Sequence, residues 1–217
     1  MDRPPVRLAR RALLAMVAAV AVTPLAICAG QAEAASDGAE ALVKDLAERA
    51  WSVLQRGDLD REQRVDQLVA LLDSKTDVGL LSRLVLGRNW QRLSEQQQAR
   101  YERLFGEVVM RNLARRLDQY VGGVGGRLDE HLQFASSQPA GKDDMLVRTK
   151  VRTPEGEVLD VDWRLRGRGD QPLIIDLIIE GASLLVTQRS EFATVIERSD
   201  VDGLLAELSA RAGPAES

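Results

Sequence analysis

The spacing of apolar residues changes once along this chain, and this change limits the folds that it can adopt. From residue 38 to residue 119, apolar side chains recur at every third or fourth position, as in amphipathic helices. From residue 145 to residue 166 they alternate with polar side chains, as in strands with one buried face. The sequence therefore predicts an α+β fold in which the apolar face of an antiparallel sheet packs against helices.

Four helices are predicted in the first half of the chain. Capping boxes, in which a side chain and a backbone N–H three residues away satisfy each other, open the second helix at Asp60 and the longest helix at Ser94. Glycine ends the first helix at Gly57 and the third at Gly87. The first predicted helix covers 38–56 and the longest covers 95–119.

Four strands follow, and two helices end the chain. The short connections between the strands make them antiparallel neighbours. The last strand is apolar on both faces, so each of its faces is expected to contact other parts of the protein. The predicted strands cover 128–136, 145–152, 157–166 and 173–179, and the last two helices cover 188–199 and 201–211.

The first 34 residues have the features of an export signal. Four arginines precede an apolar stretch from Ala12 to Ile27, and Ala32-Glu33-Ala34 fits a signal-peptidase site. The apolar stretch is short for a membrane span, which needs about 20 residues. The sequence thus predicts a signal peptide at 1–34, one domain at 35–212 and a disordered tail at 213–217. A retained anchor is the alternative, and Sec and Tat export both stay open.

Composition excludes several classes of function for the exported part. The whole chain has 29 basic and 33 acidic side chains. Without the four arginines and two acids of the signal, 25 basic and 31 acidic side chains are left, a net charge of −6. An acidic chain is poorly suited to bind nucleic acid. The one cysteine, Cys28, lies in the signal, so stability must come from a packed core and not from disulfides.

The residues that usually carry chemistry are sparse. His131 is the one histidine and has no cysteine beside it, so no metal site and no catalytic residue is predicted. The glycines at 122–126 follow a helix and form a linker instead of a phosphate loop. Asp160, Asp162 and Asp176 are interpreted as an exposed strand face. The alternative is a proton-transfer site in which one of these acids is buried.

Several segments resemble the MlaC-like (toluene-tolerance) family of periplasmic phospholipid-binding proteins. The resemblance covers about residues 40–210 in the right order, and an export signal is also a family feature. The sequence departs from the family pattern at Asn112-Leu113 and at Gln188. Both changes concern the headgroup side of the expected cavity, so a hopanoid is the alternative cargo. The segments that carry it are Leu84–Trp90, Tyr101–Tyr120, Val147–Val151, Val161–Leu165, Asp176–Leu184 and Arg189–Phe192.

The resemblance implies an NTF2-like fold, a twisted sheet of about four strands wrapped by helices, with a lipid cleft between them. It also implies a monomeric periplasmic carrier whose cargo is phospholipid and which needs no other cofactor. The implied partners are an inner-membrane ABC transporter complex with an MCE-domain ring and an outer-membrane lipoprotein–porin complex. Such a carrier maintains the lipid asymmetry of the outer membrane.

Twelve apolar residues are the expected lipid contacts, each with ordinary core packing as the alternative. Glu180 and Arg189 are expected to form an ion pair at the bend between the last strand and the last helices, with contact to the lipid headgroup as the alternative. An enzyme with a buried strand acid and a structural adaptor with a filled cleft are the competing hypotheses. The expected lipid contacts are Leu104, Val108, Leu117, Val147, Val151, Val161, Trp163, Ile175, Leu177, Ile179, Phe192 and Ile196.

Overall fold

A computed structural model describes residues 25–122, 124–167 and 172–212 of the chain. Within these residues, no helix is long and apolar enough to cross a membrane. The elements are α1 (Leu25–Leu54), α2 (Arg61–Asp73), α3 (Val78–Leu86), the 3₁₀ helix η1 (Gly87–Arg92), α4 (Glu95–Val121), α5 (Leu128–His131), β1 (Leu132–Pro139), β2 (Asp144–Arg152), β3 (Val158–Arg166), β4 (Leu173–Ile179), β5 (Ala182–Ser183) and α6 (Leu184–Ala212).

The domain boundaries stay a prediction. Residues 1–24 of the predicted signal and the predicted tail at 213–217 lie outside the described residues. Helix α1 begins at Leu25, earlier than the predicted 38, and continues through the expected cleavage site after Ala34.

Both predicted capping boxes are present. The backbone N–H of Gln63 donates to the Asp60 carboxylate over 2.9 Å, and the Gln63 side chain accepts from the Asp60 N–H over 3.0 Å. Ser94 and Gln97 exchange the same two bonds over 3.2 and 3.0 Å. The starts of α2 and α4 therefore follow from local side-chain chemistry.

The prediction of a strand over 128–136 was wrong at both of its ends. Residues Leu128–His131 form one helical turn, and β1 begins at Leu132 and runs to Pro139. Asp129 and Glu130 occupy that turn, where acidic side chains suit the positive end of a helix.

The last helix begins earlier than predicted and bends where the sequence predicts a break. Ser183 supplies its hydroxyl oxygen to the N–H of Val186 over 3.0 Å, so α6 begins at Leu184 instead of 188. At Ser199 and Asp200 the backbone leaves the helical conformation, with φ +58° at Asp200. The Asp200 carboxylate accepts from the Gly203 N–H over 3.1 Å, so it caps the second half of the helix.

The five strands form one antiparallel sheet in the order β1-β2-β3-β4-β5. The fifth strand, which was not predicted, has only two residues. The register shifts between Phe134 and Ser136 in β1, and between Arg164 and Leu165 where β3 meets β4. Such shifts bend a strand and increase its twist.

Two buried clusters hold the fold together, and α4 contributes to both. The first, here called the sheet-side core, joins α1, α2 and the middle of α4 to the sheet. The second, here called the helical core, joins α3, the first half of α4 and α6. The sheet-side core comprises Ala39, Val43, Leu46, Leu54, Val65, Leu68, Leu72, Met110, Ala114, Met145, Val147, Leu165 and Ile174. The helical core comprises Val85, Leu86, Leu93, Tyr101, Leu104, Phe105, Val108, Phe192, Leu204, Leu205 and Leu208.

Candidate functional site

One face of the sheet packs against the helices. Its residues are buried at one end of the strands and only half-buried at the other end. Met145, Leu165 and Ile174 are cross-strand partners near one end of this face, and all three are buried in the sheet-side core. Val147, two residues further along β2, is fully buried as well. Side chains two residues apart share a face, so the same face continues towards the other end of the sheet.

At that other end the face is apolar but only half-buried. Val151 of β2 lies opposite Leu132 of β1 and Leu159 of β3. In β4, Leu177 lies opposite Trp163, and Ile179 lies opposite Val161. The half-buried residues Leu132, Val151, Leu159, Leu177 and Ile179, which belong to neither core, are called here the open end of the sheet.

The border between the buried and the open parts carries one polar contact. The Trp163 indole N–H donates to the Thr149 hydroxyl over 3.0 Å, and this hydroxyl donates to the Val161 carbonyl over 2.8 Å. Thr149 and Val161 are both buried. The Trp163 N–H and the Thr149 hydroxyl are thus both satisfied within the sheet.

Helix α4 adds further apolar side chains that are incompletely buried. Leu113, Leu117 and Val121 are half-buried and pack against the sheet-side core. Leu117 was predicted as a lipid contact, and it is the one predicted residue of α4 that lies beside this core. Like the side chains of the open end, these three are aliphatic and only half-buried.

The twelve predicted lipid contacts fall into separate places. Val151, Leu177 and Ile179 lie at the open end, Val161 and Trp163 are the cross-strand partners of Ile179 and Leu177, and Leu117 packs against the sheet-side core. Val147 and Ile175 are 0% and 2% exposed, so their side chains are committed to packing. The remaining four lie in or against the helical core: Leu104, Val108, Phe192 and Ile196. The structure therefore does not bring all twelve together, and their contact with lipid stays a prediction.

Phe192 and Ile196 also line a groove of about 780 Å³ between η1 and α6. Phe192 packs edge-on against Tyr101 and Phe105, with ring centroids 6.2 and 6.3 Å apart. Charged side chains border this groove, among them Arg88, Arg92, Arg189, Glu197, Asp200 and Asp202. A border so rich in charge is less suited to acyl chains than the open end of the sheet.

The predicted ion pair between Glu180 and Arg189 was wrong. Glu180 accepts a hydrogen bond from the Asp160 N–H over 2.5 Å. Arg189 donates two hydrogen bonds to the Leu84 carbonyl, one of them from Nε over 2.9 Å. Arg189 therefore joins α6 to α3 and does not fix the bend after β4.

Two of the three strand acids lie on the other face of the sheet, beside basic side chains. Asp160 lies 2.7 Å from the Lys150 ammonium, and Asp162 lies 3.6 Å from the Arg148 guanidinium. The expectation of an exposed face was wrong for the third acid, Asp176, which is 8% exposed.

Asp176 serves the start of α6. It accepts from the Ser183 hydroxyl over 2.5 Å and from the Leu185 N–H over 3.0 Å. A carboxylate is favourable at the N-terminus of a helix, which explains why this acid is buried within an otherwise apolar strand. Among the described residues, no group of acids, histidines and cysteines is arranged to hold a metal ion.

Sequence reasoning missed two residues of the open end, Leu132 and Leu159. Leu159 shares its alternation with Val161 and Trp163, so this pattern was sufficient to include it. Leu132 was placed on the apolar face of a strand predicted over 128–136, but it was not among the predicted lipid contacts. Register with Val151 is what brings it to the open end.

Comparison with known proteins agrees with the fold described above. A solved structure of a phospholipid-binding protein from Ralstonia solanacearum, in complex with a phospholipid, is 24% identical to this chain. It superposes with a TM-score of 0.65 over 79% of this chain and 95% of that one, which confirms the mixed helix and antiparallel-sheet fold. The family model described as MlaC protein matches residues 44–210. Because that match covers well over half of the sequence, the chain belongs to the MlaC family.

Proposed function

We propose that this protein is a periplasmic carrier that binds the acyl chains of a phospholipid at the open end of the sheet. The observation that carries the proposal is the half-buried aliphatic surface of Leu132, Val151, Leu159, Leu177 and Ile179, which neither core uses. Membership of the MlaC family and the phospholipid bound to a protein of the same fold support it.

The physical reason for such a surface is the insolubility of lipid tails. Each CH₂ group that leaves water contributes about 0.8 kcal/mol, so two acyl chains need a large apolar cover. Binding sites for apolar ligands are lined mainly by aliphatic side chains with few polar groups. A sheet face with its polar groups satisfied at Thr149 and Trp163 meets this need.

The transport route belongs to the same proposal. The carrier receives and delivers lipid at an inner-membrane ABC transporter complex with an MCE-domain ring and at an outer-membrane lipoprotein–porin complex. It acts as a monomer and helps to keep the lipid asymmetry of the outer membrane. No catalytic step is included, because Asp160 and Asp162 lie beside cations and Asp176 caps a helix.

The test is the lipid content of the purified protein. The full chain, with its own N-terminal segment, is expressed in a Gram-negative host, purified from the periplasmic fraction without detergent, and extracted for lipid mass spectrometry. About one diacyl phospholipid per protein is expected. Hopanoid from a host that makes it would change the assigned cargo. A lipid-free protein that also takes no lipid from vesicles would contradict the proposal.

A further inference from the structure

Three buried polar side-chain atoms have no hydrogen-bond partner among the described residues: Tyr101 Oη, His131 Nδ1 and Thr153 Oγ1. A buried polar atom without a partner costs about 1–3 kcal/mol, so each one calls for an explanation such as a bound water or ligand. Tyr101 lies in the helical core. The other two atoms lie at the open end of the sheet.

His131 and Thr153 both lie next to one cross-strand pair, Leu132 and Val151. His131 immediately precedes Leu132 in the chain. Thr153 follows Val151 by two residues, and its N–H donates to the Glu157 carbonyl over 2.8 Å, which extends the ladder between β2 and β3 by one pair. Thr153 therefore extends the apolar face of β2 by one position.

The His131 ring is held on the helix side of the sheet. It stacks on Trp51 of α1 with ring centroids 5.0 Å apart and an angle of 28° between the planes. Helix α1 also holds the linker before α5, since the Gln55 side-chain amide donates to the Val124 carbonyl over 2.7 Å. The two unpartnered atoms thus lie where the aliphatic surface ends and polar structure begins.

The second ring nitrogen determines what His131 can bind. His131 Nε2 lies 3.1 Å from the Gly125 carbonyl oxygen, which only accepts hydrogen bonds. In the neutral ring Nε2 therefore carries the proton, and Nδ1 presents a lone pair that accepts a hydrogen bond. The Thr153 hydroxyl accepts as well, so the pair is complementary to a ligand group that donates.

We propose that His131 Nδ1 and Thr153 Oγ1 bind the polar headgroup of the carried lipid by accepting hydrogen bonds from its ammonium or hydroxyl group. This inference rests on the proposed function, since the acyl chains at the open end bring the headgroup to these atoms. Ethanolamine and glycerol headgroups have N–H or O–H donors, whereas a choline headgroup has none. The site therefore selects ethanolamine and glycerol phospholipids over choline phospholipids.

Competitive loading tests this selection. Delipidated full-length protein is incubated at pH 8 with vesicles of equal parts phosphatidylethanolamine, phosphatidylglycerol and phosphatidylcholine with the same acyl chains, then re-isolated for lipid mass spectrometry. One hydrogen bond corresponds to about a fivefold preference. We expect the wild type to take up the first two lipids about fivefold over phosphatidylcholine.

Each variant removes one of the two proposed acceptors. His131→Phe keeps an aromatic ring on Trp51 but also loses the Nε2 contact with the Gly125 carbonyl, and Thr153→Val keeps the shape of the side chain. Each variant is expected to lower the ratio. Thr153→Ser restores the hydroxyl and is expected to restore the preference. Tyr101→Phe is the matched control, because it removes the third unpartnered atom far from the open end and is expected to leave the ratio unchanged.

Each remaining outcome contradicts a different statement. If the wild type takes up all three lipids equally, or if the variants keep its preference, the two atoms bind water only. Either result would overturn the headgroup site and leave the carrier function in place. A folded wild type that loads no phospholipid would overturn the proposed function itself. Thermal unfolding of every variant separates these results from misfolding.

Discussion

At the scale of single residues, Thr149 is the polar group on which the apolar face of the sheet depends. Its hydroxyl satisfies both the Trp163 indole N–H and the Val161 carbonyl. Because Thr149 is 1% exposed, water cannot replace either bond in the folded protein. A buried tryptophan needs a hydrogen-bond partner for its indole N–H, and Thr149 supplies this partner to Trp163 within the apolar face.

Thr149→Val is expected to lower the free energy of unfolding by about 1–3 kcal/mol, because it leaves the Trp163 indole N–H without a partner and removes the hydroxyl's hydrogen bond to the Val161 carbonyl. Urea unfolding monitored by tryptophan fluorescence measures this change. Thr149→Ser keeps the hydroxyl and is the control; if both variants lose the same stability, the hydrogen bonds are not the cause.

Asp144 makes a residue-scale contact whose strength depends on pH. It is 5% exposed and accepts hydrogen bonds from Arg166 and Arg164 over 2.6 and 2.8 Å. Hydrogen bonds from Arg166 hold the pKa of this carboxyl below its ordinary value, burial opposes that shift, and Arg164 adds to it. The folded state therefore keeps the carboxylate ionised at a pH where the unfolded chain takes up a proton.

Asp144→Asn is expected to cost about 1–3 kcal/mol at pH 7, because hydrogen bonds to a charged group are lost. Since the folded pKa is lowered, the contribution of Asp144 is complete above its unfolded pKa of about 3.9 and is lost as the pH falls through the folded value. Urea unfolding between pH 7 and pH 3 is expected to show the difference between wild type and variant shrinking below about pH 4. A constant difference would contradict the role of the charge.

At the scale of elements, the junction between α3 and η1 depends on backbone conformation. Gly87 has φ +54°, in the left-handed region that favours glycine. A Cβ built at this position has the Arg189 guanidinium as its nearest neighbour, 4.0 Å away, which is ordinary contact. Backbone strain, and not a clash, is therefore what disfavours a side chain here.

Gly87→Ala is expected to destabilise the protein by about 1–2 kcal/mol through this strain alone. Gly57→Ala is the matched control, because nothing lies within 4 Å of the added Cβ and no positive φ is required; it is expected to be neutral or slightly stabilising. Thermal and urea unfolding measure both variants. Equal effects of the two would show that the conformation of Gly87 is not the cause.

At the scale of the whole molecule, one strand divides its apolar face between stability and binding. Val147 is 0% exposed in the sheet-side core, whereas Val151, four residues further along β2, is half-buried at the open end. Both valines have the same chemistry and face the same side of the sheet. Their different surroundings predict different consequences for the same substitution.

Val147→Asp is expected to unfold the protein or to cost more than about 4 kcal/mol, because it buries an unpaired charge in a packed core. Val151→Asp is expected to leave a folded protein whose lipid content falls at least several-fold, since the charge enters the surface that contacts acyl chains. Circular dichroism and lipid mass spectrometry measure the two effects. A folded Val151→Asp protein with wild-type lipid content would place the acyl chains elsewhere.

Much of the fold is predictable from the sequence, because local rules decide it. The capping boxes at Asp60 and Ser94 and the break near Asp200 follow from side chains that bond to nearby backbone groups. The alternation in β2 and β3 determines which residues share the apolar face. The helical turn before β1 was missed because four residues are too few for either period to show.

The candidate site was predictable only in part, because it depends on which strand residues are buried beneath distant parts of the chain. Sequence alone determines that Val147, Val151 and Leu177 are apolar strand residues, and the period of the strands puts them on defined faces. Only the tertiary structure decides that Val147 is buried in the sheet-side core, together with residues of α1, α2 and α4, and that Val151 is left half-buried. It also directs Arg189 to the Leu84 carbonyl instead of to Glu180. The physical reason is that hydrophobicity and periodicity are local properties, whereas the difference between a packed core and a binding surface depends on which distant segment lies above a side chain.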